Sequence, residues 1–214
     1  MNQRNLFKLD PRLNPKQSAA QSKIYSSNYH FNSISTNNQG NFVVGNELGE
    51  LRLYKEVGQN AKNLYPGMGD PILALDCTKD GRWLLATCKS YLLFVPAFHQ
   101  DRNAFEYTIK NVDKPTPRML KIHPKDMVAY NIKEVSFING RFDDSEKDKE
   151  QFIVVGCGNL VFTWPIKKVL QGKIFEYEVK RLDDKIINNE FKFNDPKKMF
   201  IALPSEIRLH QNKI

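Results

Sequence analysis

The sequence has no run approaching the ~20 apolar residues that a membrane-spanning helix needs. Its first stretch, MNQRNLFKLDPRLNPK, is polar and has no apolar segment of the secretory-signal kind. Cysteine is scarce. Cys77, Cys88 and Cys157 form no CxxC, and an odd count of 3 leaves any disulfide framework incomplete. There is no Asn-x-Ser/Thr acceptor. These absences predict a chain without a membrane span in a reducing setting, placed in the cytoplasm, with nuclear or vesicle-associated sites as the other placements.

Metal and cofactor chemistry also lack their residues. His30, His99, His123 and His210 lie far apart, and none stands at ligand spacing from a cysteine. Gly67-Met68-Gly69 has no GK[ST] and no βαβ setting, so it reads as a turn and not a phosphate loop. Cys157 sits between Gly156 and Gly158 but has no accompanying base to form a thiolate. Asp143–Glu150 lacks the glycine and the terminal glutamate spacing of a calcium loop and reads as solvated. Asp76 and Asp80 span a strand end and a turn, where Asp80 caps the bend into Gly81. No catalytic residue, metal or cofactor is expected.

What is present begins with charge: 32 Lys+Arg against 24 Asp+Glu over 214 residues, a net +8. The excess is +2, +2, 0 and +4 over residues 1–50, 51–100, 101–150 and 151–214. Nucleic-acid binding needs basic residues gathered on one surface. Here they alternate with acids, as in Glu176-Tyr177-Glu178-Val179-Lys180, and a solvated surface is expected.

The chain is organised as a repeat. Gly40–Tyr54, Gly81–Val95, Glu150–Pro165 and Lys198–Gln211 each hold an apolar run opened by an aromatic residue, a short turn, and a second apolar run. The opening aromatics are Phe42, Trp83, Phe152 and Phe200. Such segments read as antiparallel strand pairs. The aromatics stand 41, 69 and 48 positions apart. Two of these intervals match the ~40–45 residues of a four-stranded propeller blade. The longest contains residues 96–127 and 141–150, which read as loop insertions. First strands are expected at Phe31–Thr36, Ile72–Thr78, Val135–Phe142 and Ile186–Phe193, and fourth strands at Ala61–Tyr65, Phe105–Ile109 and Tyr177–Leu182. Helical periodicity is confined to Ile166–Leu170. The reading is all-β: about four blades of four-stranded antiparallel sheet, with an irregular β-sandwich as the alternative. Trp83 is expected to be a buried anchor whose loss costs roughly 3–5 kcal/mol.

The stretch GDPILALDCTKDGRWLLATCKSYLLF, Gly69 to Phe94, resembles the C-terminal domain of the Vid27 family, the vacuolar import and degradation proteins. Leu6–Leu13, Gly45–Tyr54, Thr163–Gly172 and Asn189–Leu203, which opens NEFKF and closes MFIAL, resemble it in the same order. Plant proteins described as needed for embryo and meristem development are similar. The resemblance implies a WD40-like β-propeller, and family chains that are longer and carry further N-terminal regions. About four blades is the lower end of the 4–8 of closed propellers, so residues 1–214 are expected to be part of a larger propeller, with 1–30 an entry strand and linker from a preceding blade and four-bladed self-closure as the alternative.

The resemblance further implies a non-enzymatic scaffold that docks proteins or peptides on a propeller face, in vesicle-mediated vacuolar import and degradation of cytosolic proteins. An RNA- or chromatin-associated adaptor and an enzyme with a site on the propeller face are the alternatives. The expected docking residues are Lys89, Tyr91 and Asp70, with Arg52 nearby and Ser90, Gly69 and Pro71 shaping the turns.

Overall fold

The computed structural model describes residues 4–8, 12, 14, 22–25, 28–143, 150–192 and 195–211. A strand pair comes first, β1 (Asn5–Phe7) with β2 (Ser22–Ile24). The first sheet is β3 (Phe31–Thr36), β4 (Phe42–Asn46), β5 (Leu51–Tyr54) and β6 (Asn63–Tyr65). The second is β7 (Ala74–Cys77), β8 (Trp83–Thr87), β9 (Leu92–Pro96) and, beyond a small hairpin of β10 (Phe98–His99) and β11 (Arg102–Asn103), β12 (Arg118–Leu120). A short helix α1 (Pro124–Ala129) precedes the third sheet: β13 (Phe137–Phe142), β14 (Phe152–Cys157), β15 (Leu160–Pro165) and, after helix α2 (Ile166–Leu170), β16 (Glu178–Arg181). The fourth sheet holds β17 (Asn188–Lys192), β18 (Asp195–Ala202) and β19 (Ile207–Gln211). Every pairing is antiparallel between sequence neighbours within a sheet. The first strands β3, β7, β13 and β17 adjoin one another in series, so the sheets fan from a common inner edge. The protein is an all-β assembly of blade-like antiparallel sheets.

The middle strands explain the architecture. Successive side chains on a strand point to opposite faces, and here both faces are covered. On β4, Val43 packs toward the second sheet, whereas Phe42 and Val44 pack toward Leu6 and Tyr25. On β8, Leu84 and Ala86 face the first sheet and Leu85 faces the third. On β14, Ile153 and Val155 face the second sheet and Val154 the fourth. Double-sided burial is why these strands read as continuous apolar runs. Each buried Val, Leu or Phe contributes about 1.5–3 kcal/mol.

Buried polar side chains close the turns between first and second strands. Asn37 Oδ1 accepts from the Gln39 and Asn41 N–H groups, both at 3.0 Å. Thr78 Oγ1 accepts from Trp83 N–H at 3.0 Å, and Asp143 Oδ1 accepts from Gln151 and Phe152 N–H at 2.6 and 2.7 Å. Three residue types do one job. Asp143 is therefore a buried cap and not part of a solvated loop, while 144–149 lie outside the described residues. Asp80 accepts from Thr78 Oγ1 at 2.7 Å and Arg82 N–H at 2.9 Å, a separate task from that of Asp76.

Charge ties the inner edge together. Arg141 on β13 lies 3.7 Å from Asp76 on β7 and 3.0 Å from Glu190 on β17, and donates to the Leu75 carbonyl at 3.2 Å. The Asp76 carboxylate also accepts from Phe142 and Cys77 N–H groups at 2.8 and 2.9 Å. Burial pushes Asp76 up to about 6, with Arg141 and those N–H groups acting the other way. Asp143 is likewise pushed up to about 6 by burial.

Four expectations change. The outer strand of the second sheet is Arg118–Leu120, inside the stretch 96–127, and not Phe105–Ile109. Asn63 explains the difference: its Nδ2 donates to the Ala104 and Tyr107 carbonyls and its Oδ1 accepts from Ile109 N–H at 2.9 Å, tying that stretch to β6. Trp83 is only partly buried, stacked on Phe94 at 4.6 Å; Trp164 is the fully buried indole, donating to the Ile174 carbonyl at 2.8 Å. Helix α1 forms outside any expected periodicity, with Pro124 in its first turn and His123 Nδ1 accepting from Lys125 N–H. Phe200, which opens the fourth pair, is 42% exposed, and Ile207 and Leu209 on the same face of its sheet are 72% and 52% exposed.

Trp164→Ala is expected to cost about 3–5 kcal/mol, more than Trp83→Ala, in denaturant unfolding; the reverse order would break the proposed burial pattern. A carboxyl that binds its proton more tightly folded than unfolded stabilises below its unfolded pKa and loses that contribution as pH rises to its folded value. For Asp76 the window runs from about 4 to about 6. The stability advantage of wild type over Asp76→Asn should therefore be about 2 kcal/mol larger at pH 4 than at pH 7. Urea titrations at the two pH values check this, and a constant difference would refute it.

Candidate docking face

The face is built where the turn between second and third strands meets the segment leading into the next sheet. A backbone hydrogen bond recurs at this junction. Ile72 N–H donates to the Asn46 carbonyl at 3.1 Å, Phe137 N–H to Lys89 at 2.8 Å, and Ile186 N–H to Gly158 at 2.8 Å. Each turn is thereby fixed to the neighbouring sheet.

At the first junction the backbones themselves touch. Gly49 has φ +81, and a Cβ there would lie 2.6 Å from the Asp70 carbonyl oxygen. A Cβ at Gly67 would overlap the Leu48 carbonyl. Any other side chain at either position would force the two segments apart, so glycine is required by proximity at both and also by φ at Gly49. The close approach leaves Leu48 and Met68 exposed beside each other, with Leu73 exposed on the lead into β7.

The second junction brings three of the expected docking residues into one region. Lys89 lies in the β8–β9 turn, exposed, and pairs with Glu134 at 2.5 Å; that contact raises the lysine pKa and lowers the glutamate pKa. Cys88 N–H donates to the Tyr91 carbonyl at 2.9 Å, and the Cys88 thiol approaches the Asp70 carbonyl at 4.0 Å. Tyr91, however, is only 5% exposed. Burial drives its hydroxyl pKa well above the ordinary range, and Lys121 Nζ stands 5.9 Å from its ring. Tyr91 supports the face from beneath and offers little surface to a partner.

Arg52 is separated from this group. It alternates with Leu51 and Leu53, which face the second sheet, so its side chain lies on the opposite face of the first sheet. There its guanidinium stacks 3.9 Å from the Tyr29 ring centre and pairs with Glu50 at 3.1 Å. Sequence reasoning missed Glu134 and Lys121, which come from distant segments, and Leu48, Met68 and Leu73, which carry no motif.

Cys77, Cys88 and Cys157 are all buried and free, and burial raises each thiol, Cys88 to about 11. A raised thiol pKa works against the thiolate, the state a nucleophile needs. No group of three or more His, Cys, Asp or Glu able to hold a metal occurs among the described residues. His30 pairs with Glu47 at 3.6 Å, and His123 caps α1. No helix among the described residues is long and apolar enough to cross a membrane.

Known proteins match this chain along its length. The β-propeller domain of Cps50 (Swd1) from Myceliophteria thermophila superposes with a TM-score of 0.58 at 12% identity, covering 84% of this chain and 52% of that one, a likeness of fold. Vacuolar import and degradation protein 27 of Saccharomyces cerevisiae is 31% identical over 226 residues, covering 100% of this chain and 29% of that protein. The protein of the same name from Schizosaccharomyces pombe is 29% identical over 214 residues, covering 96% and 27%. The chain thus spans less than a third of these relatives' length. The family model of the VID27 C-terminal WD40-like domain matches residues 1–214, and the chain belongs to that family.

Proposed function

We propose that this chain is a non-enzymatic docking platform, binding proteins or peptides on the face formed by the strand turns, in vacuolar import and degradation of cytosolic proteins. One observation carries the reading: the turns are pinned by backbone hydrogen bonds to the next sheet while Leu48, Met68, Leu73 and Lys89 stay exposed on them. A rigid face with apolar and charged side chains binds at low ordering cost, and interface energy concentrates in a few such anchors. The pathway comes from the name of the relatives, and the cytoplasm is the placement that name fits.

The sheets belong to a larger ring in this reading. Phe200, Ile207 and Leu209 form an exposed apolar face on the fourth sheet, whereas the corresponding faces of the other sheets pack against a neighbour. The superposition over 52% of a propeller chain supports the same view. In this reading the β1–β2 pair belongs to a preceding blade, and the stretch 96–127 is an insertion only outside β12, the outer strand of the second sheet.

Lys89→Glu and Leu73→Asp should each lower recovery of captured proteins in affinity purification without moving the melting temperature. If every captured protein survives both changes, the face is wrongly placed; if recovery instead collapses steeply with salt and nucleic acid co-purifies, the platform serves phosphate backbones. For the ring, residues 1–214 alone should self-associate in sedimentation, and Ile207→Lys with Leu209→Lys should reduce it. A monodisperse wild-type chain would count against the larger ring.

A further inference from the structure

The outer wall between the first and second sheets holds a groove of about 580 Å³. Tyr65, Pro66 and Met68 line it from the end of β6, and Lys114, Pro115 and Pro117 from the segment leading to β12. Lys114 is the one charged residue among its lining. Its Nζ donates to the Leu64 carbonyl and to Asn111 Oδ1, each at 2.8 Å, and stands 5.8 Å from the centre of the Tyr65 ring. Both acceptors are neutral. Burial lowers the lysine pKa, and among the described residues no carboxylate offsets that cost. An ammonium has three donors; two are used, and the cation sits partly desolvated without a counter-charge.

We propose that this groove docks an extended peptide segment in which an aspartate or glutamate side chain, flanked by apolar residues, pairs with Lys114. The inference rests on the docking-platform reading and names a second surface for it. The volume falls within the range of binding pockets, ~300–1,000 Å³, and apolar walls with one placed polar group are their usual composition. One remaining N–H donor suits a singly charged carboxylate. Phosphate recognition draws on several donors, commonly arginine forks or backbone N–H groups; no arginine lines this groove, and its three prolines have no N–H to give. Capture of a chain-terminal carboxylate in a backbone nest meets the same obstacle. Proline and tyrosine surfaces pack against extended peptides with little side-chain entropy to lose.

The test uses the purified full chain on an array of immobilised pentapeptides. Their central residue is Glu, Gln, phosphoserine or Lys between leucine, alanine and proline flanks. Glu peptides should be retained at least tenfold over the Gln and phosphoserine series. Lys114→Met should abolish that preference and Lys114→Arg should keep it, which separates charge recognition from loss of the fold. In a second readout, a bound Glu peptide should protect Lys114 from chemical acetylation, measured by mass spectrometry. Equal retention of Gln peptides, a phosphoserine preference, an unchanged Lys114→Met variant, or absence of any retention would each overturn the inference. If the array shows no Glu preference while Lys89→Glu still lowers partner capture, the groove is refuted and the platform stands.

Discussion

The second strands of the first three sheets, β4, β8 and β14, are buried on both faces, and the rest of the molecule follows from that. A residue on β4, β8 or β14 serves one of two interfaces according to its parity, so no position on those strands is free of the core. The core is accordingly a series of clusters between sheets, each linking one sheet to the next. Stability in such an arrangement is close to a sum of sheets and nearest-neighbour interfaces. What apolar packing leaves open is the order of the inner edges. The Asp76–Arg141–Glu190 set reaches across three first strands and supplies a polar contact that a one-residue slip of β13 would break. Removing one member would strand a buried charge, which costs more than the set contributes in net stability.

Much of this was legible in the residues. Long apolar runs interrupted by Gly, Asn or Asp could only be strand pairs, and the 41-residue interval between Phe42 and Trp83 pointed to blades. First strands were found to within a few residues, and Ile166–Leu170 is helical as its periodicity required. The outer strand of the second sheet was not legible, because Phe105–Ile109 and Arg118–Leu120 are equally plausible by composition. The choice between them is made by the Asn63 side chain, about forty residues away in sequence. Burial of Trp164 over Trp83 is decided in the same way, by which side chains a neighbouring sheet brings up.

The candidate site divides along the same line. The structure places Asp70, Lys89 and Tyr91 in one region of repeat turns. Arg52 could have been excluded from sequence alone, since Leu51 and Leu53 flank it and a period of two sends it to the other face. Tyr91 could not: the groups near it include Asp70 and Lys121, which lie outside its own β8–β9 hairpin. The groove at Lys114 was invisible for a related reason. Its two walls are separated by some fifty residues, and only the antiparallel return of β12 onto β9 brings them together.

Division of labour between core and turns bears on how recognition works in this protein. Several exposed cations are answered locally: Lys89 by Glu134, Lys168 and Lys173 by Glu176, Arg208 by Asp183 and Glu206. Such exposed pairs hold little energy, and they leave long-range attraction weak. Affinity then has to come from short-range fit, which demands a surface already in its bound shape. The recurring hydrogen bonds from Ile72, Phe137 and Ile186, and the backbone contact at Gly49 and Gly67, supply that rigidity without using a single exposed side chain. In the proposed docking face the exposed Leu48, Met68, Leu73 and Lys89 are open to substitution, whereas Gly49 and Gly67 beneath them are held by the architecture.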